Sequence, residues 1–395
     1  MHLLETYALA TGSKIKKPFI NKKFFPVPFE KYITIQNSSG MQGKCYDYFQ
    51  DVIDFIHEDL EKIGYKIIQI GSKDDRALKH VFHLQGQTNI NQTAFILENS
   101  KLHVGNDSFA IHMCNAFGVP LVGLYSVSSP EIAGPFWKNN KQICLTPENL
   151  KPSFNPNESP KKINEIKIES VINSIKSLLN IESTQNIKTI YTGPKYQHII
   201  LETIPEQILH PQAFEKQLLN VRFDLLNREY EEKDYNGLVQ NLNTRECCIV
   251  TNKPLILEPL LKFKNNIKML IYDVTHSIDV NFIEKLTFLG INNTCIFKIY
   301  ESSAEELNNR KEQIIDLPQI IEQINLPKVD IDLSAENFYY KTNKLFIANN
   351  QLFLGKQAYL NKTPIEGNNF QKISNTNLDE FIKNDLEYAL IFEKN

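Results

Sequence analysis

No stretch of this 395-residue chain approaches the ~20 consecutive apolar residues that a membrane-spanning helix needs, and its first residues lack the basic-then-apolar order of a secretory signal. The expected compartment is therefore the cytoplasm. An excess of charge is missing as well. With 43 Lys and Arg against 46 Asp and Glu, the formal net charge is -3, which leaves no overall basic field to recruit nucleic acid or anionic lipid. The six cysteines (Cys45, Cys114, Cys144, Cys247, Cys248, Cys295) form no C-x-x-C pair and have no His at zinc spacing, so neither a disulfide framework nor a structural metal site is indicated. Three common catalytic signatures are absent too: the G-x-x-x-x-G-K-S/T phosphate loop, the G-x-S-x-G elbow and the H-E-x-x-H helix. Their absence argues against the usual nucleotide hydrolases, serine esterases and zinc proteases.

What is present is a rhythm of strands and helices in a chain long enough for two or three domains. Residues 1–30 read as a linker helix, with Leu3, Leu4, Tyr7 and Ala8 as its apolar positions, followed by a Lys- and Pro-rich connector from Lys14 to Pro28. From Tyr32 the spacing predicts strands at 32–35, 66–70, 102–104 and 120–125, a short apolar run at 81–84, and helices at 46–63, 89–99 and 108–117. Such alternation indicates a parallel sheet with helices on both faces. Residues 126–162, with Pro130, Pro135, Pro147, Pro152, Pro156 and Pro160, read as an irregular surface excursion. A helix at 166–179 then closes a first domain spanning 31–182. Beyond a linker-like stretch with Gly193, Pro194, Pro205 and Pro211, a weaker βα rhythm from Cys247 to Ile315 suggests a second Rossmann-like domain at 183–328. In the tail, 329–395, apolar residues alternate on either side of Asn349-Asn350, the signature of a hairpin.

The chemistry concentrates between Leu102 and Tyr125. A strand ends at Val104, Gly105 lets the backbone turn, and Asp107 and Ser108 stand where a helix N-cap belongs. A helix starting there points its free N–H groups and positive dipole end into the crevice at the carboxyl edge of the sheet, where doubly wound folds bind nucleotides. His112 follows Ser108 by one helical turn and shares its face. Asp107 is expected to cap the helix, to bond a ligand hydroxyl or to orient His112.

The run Gly105, Asp107, Ser108, His112, Gly118, Pro120 resembles the donor-binding half of glycosyltransferase family 9, the heptosyltransferases that use ADP-heptose. Lys44, in the loop after the first strand, matches a family lysine that meets donor phosphate. Gly71 matches a glycine turn after the second strand, and Thr88 falls in a matching Gly-x-Thr segment. The resemblance covers about residues 1–180, including Met1 to Gly12 as the family's linker helix. It implies a GT-B-like α/β fold of two Rossmann-like parallel-sheet domains, to which a small β-rich tail is added here. It also implies donor-binding roles for Lys44, Gly71, Thr88, Gly105, Asp107, Ser108 and His112, an inverting reaction, and no metal or other cofactor.

The resemblance thus implies a glycosyltransferase that moves a sugar from a nucleotide diphosphate donor to an unknown acceptor, whether glycan, protein or modified nucleic acid. No residue stands out as the catalytic base. Phe109 replaces the family's glycine after Asp-Ser, and the family's acceptor domain, which precedes the linker helix, has no counterpart in this sequence. The alternative is accordingly a non-catalytic binding or assembly protein, for instance a homo-oligomer, that retains a donor domain. Asp330-Ile-Asp332 reads as two solvent-facing acids near a strand, and Lys14, Lys16, Lys17, Lys161 and Lys162 as solvated surface. Trp137, the sole tryptophan, either covers a nucleoside base or anchors the Pro-rich loop.

Overall fold

Tyr32-Ile-Thr-Ile-Gln36 is buried at every position, the pattern of a strand covered on both faces. It is the central strand of a parallel sheet in the computed structural model, which describes residues 1–158, 161–182, 187–192, 200–214, 217–298, 301–313, 321–324, 337–365, 371–373 and 378–386. Asp330, Asp332, Gly193, Pro194 and Pro160 lie outside the described residues. The chain divides into two units, Met1–Thr189 and Ile190–Asn395.

The first unit contains α1 (Leu3–Thr11), β1 (Tyr32–Gln36), α2 (Phe49–Lys62), β2 (Lys66–Gln69), β3 (Phe82–His83), α3 (Ile90–Asn99), β4 (His103–Asn106), α4 (Phe109–Phe117), β5 (Leu121–Leu124), α5 (Pro130–Ala133), β6 (Gln142–Leu145) and α6 (Ile168–Leu179). Its six strands are parallel in the order β3-β2-β1-β4-β5-β6. The chain builds outward from β1 on one side, then returns to place β4 on the other. The order therefore reverses between β1 and β4, and that crevice is where open α/β sheets bind ligands. Helix α2 follows from its period: Phe49, Val52, Ile53, Ile56 and Leu60 are buried on one stripe. Each such side chain, fully buried, contributes roughly 1.5–3 kcal/mol. An Asn89–Gln92 capping box starts α3, and Gly118, left-handed at φ 78, ends α4.

Two expectations change here. The stretch 126–162 is not wholly irregular, because β6 adds an edge strand to the sheet. Its four half-buried residues, Gln142-Ile-Cys-Leu145, are too few and too mixed to show a period. Helix α1 forms as expected but buries none of its residues, so it has no packed apolar stripe.

The second unit follows the boundary strand β7 (Ile187–Thr192). It contains β8 (Ile200–Thr203), β9 (Leu219–Arg222), α7 (Glu232–Thr244), β10 (Cys247–Thr251), α8 (Leu257–Lys262), β11 (Ile267–Asp273), α9 (Val280–Phe288), β12 (Asn293–Lys298), α10 (Ala304–Gln313), β13 (Ile321–Ile324), β14 (Asn337–Thr342), β15 (Lys344–Ala348), β16 (Gln351–Leu354), α11 (Gly355–Leu360), β17 (Gln371–Ile373) and α12 (Leu378–Leu386). Its main sheet runs β13-β12-β11-β10-β9-β8-β15-β16, parallel except for the final β15–β16 hairpin. The tail's hairpin thus joins the second sheet. Its turn residues Asn349 and Asn350 both have positive φ, 51° and 58°, as a two-residue hairpin turn requires. Strands β8 and β9 fall in what the sequence presents as linker. They escape notice because Glu202, Asn220 and Arg222 interrupt their apolar pattern. The Arg222 guanidinium, fully buried, bridges Glu202 and Asp224 at 2.8 Å each. This sheet also reverses, between β8 and β15, but there Gln207 and Asn350 hydrogen-bond to each other.

Candidate functional site

The loops after β1 and β4 meet at the reversal point of the first sheet. A 3-10 turn, Gln42–Lys44, follows β1 and carries Lys44; Asp107 and Ser108 follow β4. The Lys44 ammonium donates to Asp107 Oδ2 at 2.5 Å, with the side chains only 17% and 4% exposed. Ser128 Oγ donates to the same carboxylate oxygen at 2.7 Å. The loop that presents Lys44 is itself held: Gly43 N–H donates to Pro156 O at 2.8 Å, and Tyr46 N–H donates to Asn106 Oδ1 at 3.1 Å.

Asp107 does not cap α4, contrary to expectation. Ser108 is the N-cap residue, and no side chain caps the helix there. The Asp107 carboxylate turns instead to the Lys44 ammonium and the Ser128 hydroxyl, the first of these an ion pair. The start of α4 is left without a side-chain cap, open to an anion. His112 lies beside this pair, its Nε2 3.9 Å from Asp107 Oδ1. Loss of hydration holds its pKa below the usual histidine range; Asp107 opposes that shift, while His2 and Lys44 add to it.

Two cavities border the crevice. The larger, about 520 Å³, has Lys44, Asp107 and His112 at one end. The smaller, about 400 Å³, holds Gly71, Thr88 and Ser108. Six of the seven expected residues therefore fall on two neighbouring cavities of one unit. Gly105 lines neither. It lies in buried β4, and a Cβ there would stand 2.8 Å from His103 Nε2 and 3.4 Å from Gln36 O, so its bareness makes room for His103 and β1. Thr88 spends its hydroxyl on Thr93, 2.8 Å away, at the start of α3.

Sequence reasoning missed two contributors. Asp75 joins the loops after β1 and β2, accepting from Ser38 Oγ at 2.5 Å and Ser72 N–H at 2.7 Å. Gly71, at φ 147, must be bare because a Cβ would lie 2.1 Å from that carboxylate. Ser128 is the other, and its only sequence signal is proximity to Ser129-Pro130. Lys161, expected in solvent, instead bonds Asp47 and donates to Cys45 O at 2.9 Å, which ties the far side of the Lys44 loop to the chain before α6. Trp137 lines the larger cavity, and its backbone is clasped by the Asn115 amide at 2.7 and 3.0 Å.

Strand order defines a parallel α/β unit of the doubly wound class, with a crevice at the reversal point, where open sheets of this kind bind ligands. Comparison sharpens this: residues 7–164 match the model of glycosyltransferase family 9 (heptosyltransferase). No curated protein matches the chain significantly by sequence. Among solved structures, ADP-heptose lps heptosyltransferase II of E. coli is 20% identical, covering 39% of this chain and 48% of that one, at a TM-score of 0.33. A glycosyl transferase family 9 protein from Veillonella parvula is 21% identical, covering 45% and 50%, at 0.33. E. coli heptosyltransferase WaaC with ADP is 14% identical, covering 44% and 54%, at 0.32. The chain spans about half the length of the structures it matches. Its architecture rests on its own strand order, two parallel α/β units, and not on these superpositions.

Proposed function

We propose that the protein is a glycosyltransferase that takes a sugar from a nucleotide diphosphate donor, with the donor held by the first unit. One observation carries the reading: Lys44, fixed by Asp107, stands with the uncapped start of α4 at the reversal point of a sheet matched by the family 9 model. The leaving diphosphate needs positive charge where its own negative charge develops. Lys44 has two donors left after its bond to Asp107, and the first N–H groups of α4 add a partial charge of the same sign. His112 supplies the third element. A diphosphate beside it favours the imidazolium, against the loss of hydration that disfavours it. In this reading the nucleoside lies toward Gly71, Thr88 and Asp75, the sugar lies toward Asp107, and no metal is called for. None of the six cysteines forms a disulfide, and the reading places the protein in a reducing, cytoplasmic setting.

The alternative, an assembly protein that retains a donor-binding unit, draws on the family match ending at residue 164. Thermal shift with ADP, UDP and their sugars separates the two. The transferase binds one of them and slowly hydrolyses its sugar, and Lys44→Ala removes both properties in a folded protein. The assembly protein binds none.

A further inference from the structure

On one face of the first sheet, buried polar atoms gather around two glycines. Gln36, Gly105 and Gly123 stand in register on β1, β4 and β5 and so share that face. His103 and Tyr125, two residues from Gly105 and Gly123, point to the same side. The His103 Nε2 lies 2.8 Å from where a Gly105 Cβ would be, and the Gln36 Cβ lies 3.5 Å from that point. The Tyr125 hydroxyl is 3.3 Å from the matching point at Gly123, and Ile111 of α4 is 3.4 Å from it. The two bare positions thus let both rings fold over the sheet beneath α4. Gln36 Oε1, His103 Nε2 and the Tyr125 hydroxyl are each buried and unpaired among the described residues.

Donor and acceptor counting narrows what these atoms do. Ser100 Oγ donates to Leu102 O at 2.6 Å, so it accepts from Thr34 Oγ1 at 3.2 Å. Thr34 has then spent its proton and accepts from His103 Nδ1–H at 3.0 Å. Burial holds the His103 pKa down to about 3, so the ring is neutral and its Nε2 is a bare acceptor. Gln36 Oε1 is a second acceptor, and the Tyr125 hydroxyl brings one proton to the two. A single water balances the set, donating to Nε2 and Oε1 and accepting from Tyr125. With its oxygen held inward, the Gln36 amide has its N–H groups left for the smaller cavity, which Gln36 lines together with Ser108 at the uncapped start of α4.

We infer that Gln36 binds the donor's diphosphate through its amide N–H groups, and that His103 and Tyr125 are positioning residues that hold this amide through a buried water. This rests on the transferase reading. The diphosphate oxygens accept hydrogen bonds, and a Gln36 amide turned the other way would set its own oxygen against them. The buried water removes that orientation. Gln36 thereby adds a neutral donor to the charge of Lys44 and the first N–H groups of α4.

The test compares ADP and UDP affinity by calorimetry in the wild type, Gln36→Met, Tyr125→Phe and the double variant, with urea unfolding to check that each folds. Gln36→Met is expected to bind about tenfold more weakly and Tyr125→Phe about threefold. Adding Tyr125→Phe to Gln36→Met is expected to cost nothing further. In the wild type labelled with 15N-histidine, long-range 1H–15N NMR is expected to show an imidazole that stays neutral from pH 8 to 5 with its proton on Nδ1, assigned by its absence from His103→Gln. If nucleotide binds and Gln36→Met matches or exceeds the wild type, the role of Gln36 is overturned and the transferase stands. If Tyr125→Phe costs as much in the Gln36→Met background as alone, it acts on the fold and the positioning role falls. A His103 proton on Nε2 overturns the water arrangement. If neither nucleotide binds the folded wild type, the transferase reading falls and the role of Gln36 falls with it.

Discussion

Lys44 and Asp107, 63 residues apart in sequence, meet at 2.5 Å across the point where the strand order of the first sheet reverses. The bond sets a cation at the mouth of the crevice and keeps an anion from sealing it. Asp107 is spent on Lys44 and Ser128, so neither its charge nor its reach blocks the start of α4.

His112 gives the site a proton linkage. Its pKa lies below the usual histidine range, through lost hydration and the nearby Lys44 and His2, with Asp107 opposing. A diphosphate raises it. Binding of ADP or UDP is therefore expected to take up a proton near the usual histidine range and to tighten as pH falls toward it. Calorimetry in buffers of different ionisation enthalpy measures the uptake, and His112→Gln is expected to abolish it.

Gly71→Ala places a methyl group 2.1 Å from the Asp75 carboxylate, at a φ of 147°. Asp75 then gives up Ser38 or Ser72, at a cost of about 1–3 kcal/mol. Nucleotide affinity is expected to fall severalfold with it, since Ser38, Ser72 and Asp75 share the smaller cavity. Gly64→Ala is the control. That residue is left-handed at φ 81 with nothing within 4 Å, so it is expected to lose about 1 kcal/mol of stability and no affinity. Urea unfolding and nucleotide titration of both variants check this.

Much of the first unit is legible because its strands are short apolar blocks bounded by Gly, Asn and Pro, and its helices show a clear 3.6 period. The turn at Asn349-Asn350 is legible for the same local reason. The site is legible only in part. Sequence shows Asp107 and Ser108 before a helix, but Asp107 turns away from the cap because Lys44 comes within reach, and that meeting depends on β4 pairing with β1. Asp75 and Ser128 carry no pattern at all. In the second unit, β8 and β9 are hidden by Glu202, Asn220 and Arg222, which suggest loop in one dimension; Arg222 reaches Glu202 on the neighbouring strand and Asp224 two residues on.

His103 makes the first unit acid-sensitive. It is fully buried on β4 beside Thr34 Oγ1, 3.0 Å from Nδ1, and burial holds its pKa down to about 3. In the unfolded chain it titrates near 6.5. Below that value the unfolded state binds the extra proton, so this stability is fully present above about pH 6.5 and is lost as pH falls toward 3, at up to about 1.4 kcal/mol per pH unit. Trp137 fluorescence follows unfolding of this unit. Between pH 6 and 4 the wild type is expected to lose stability more steeply than His103→Gln, by about one proton's worth of slope.

The most direct test of the central claim is the affinity of the intact protein for ADP and UDP, with and without Lys44→Ala, by calorimetry at low salt. The account predicts saturable binding of at least one, weakened about 10–100-fold by the substitution, as expected for loss of a charged hydrogen bond worth roughly 1.5–3 kcal/mol. Binding of neither nucleotide to the folded wild type, or equal binding to wild type and Lys44→Ala, would contradict it.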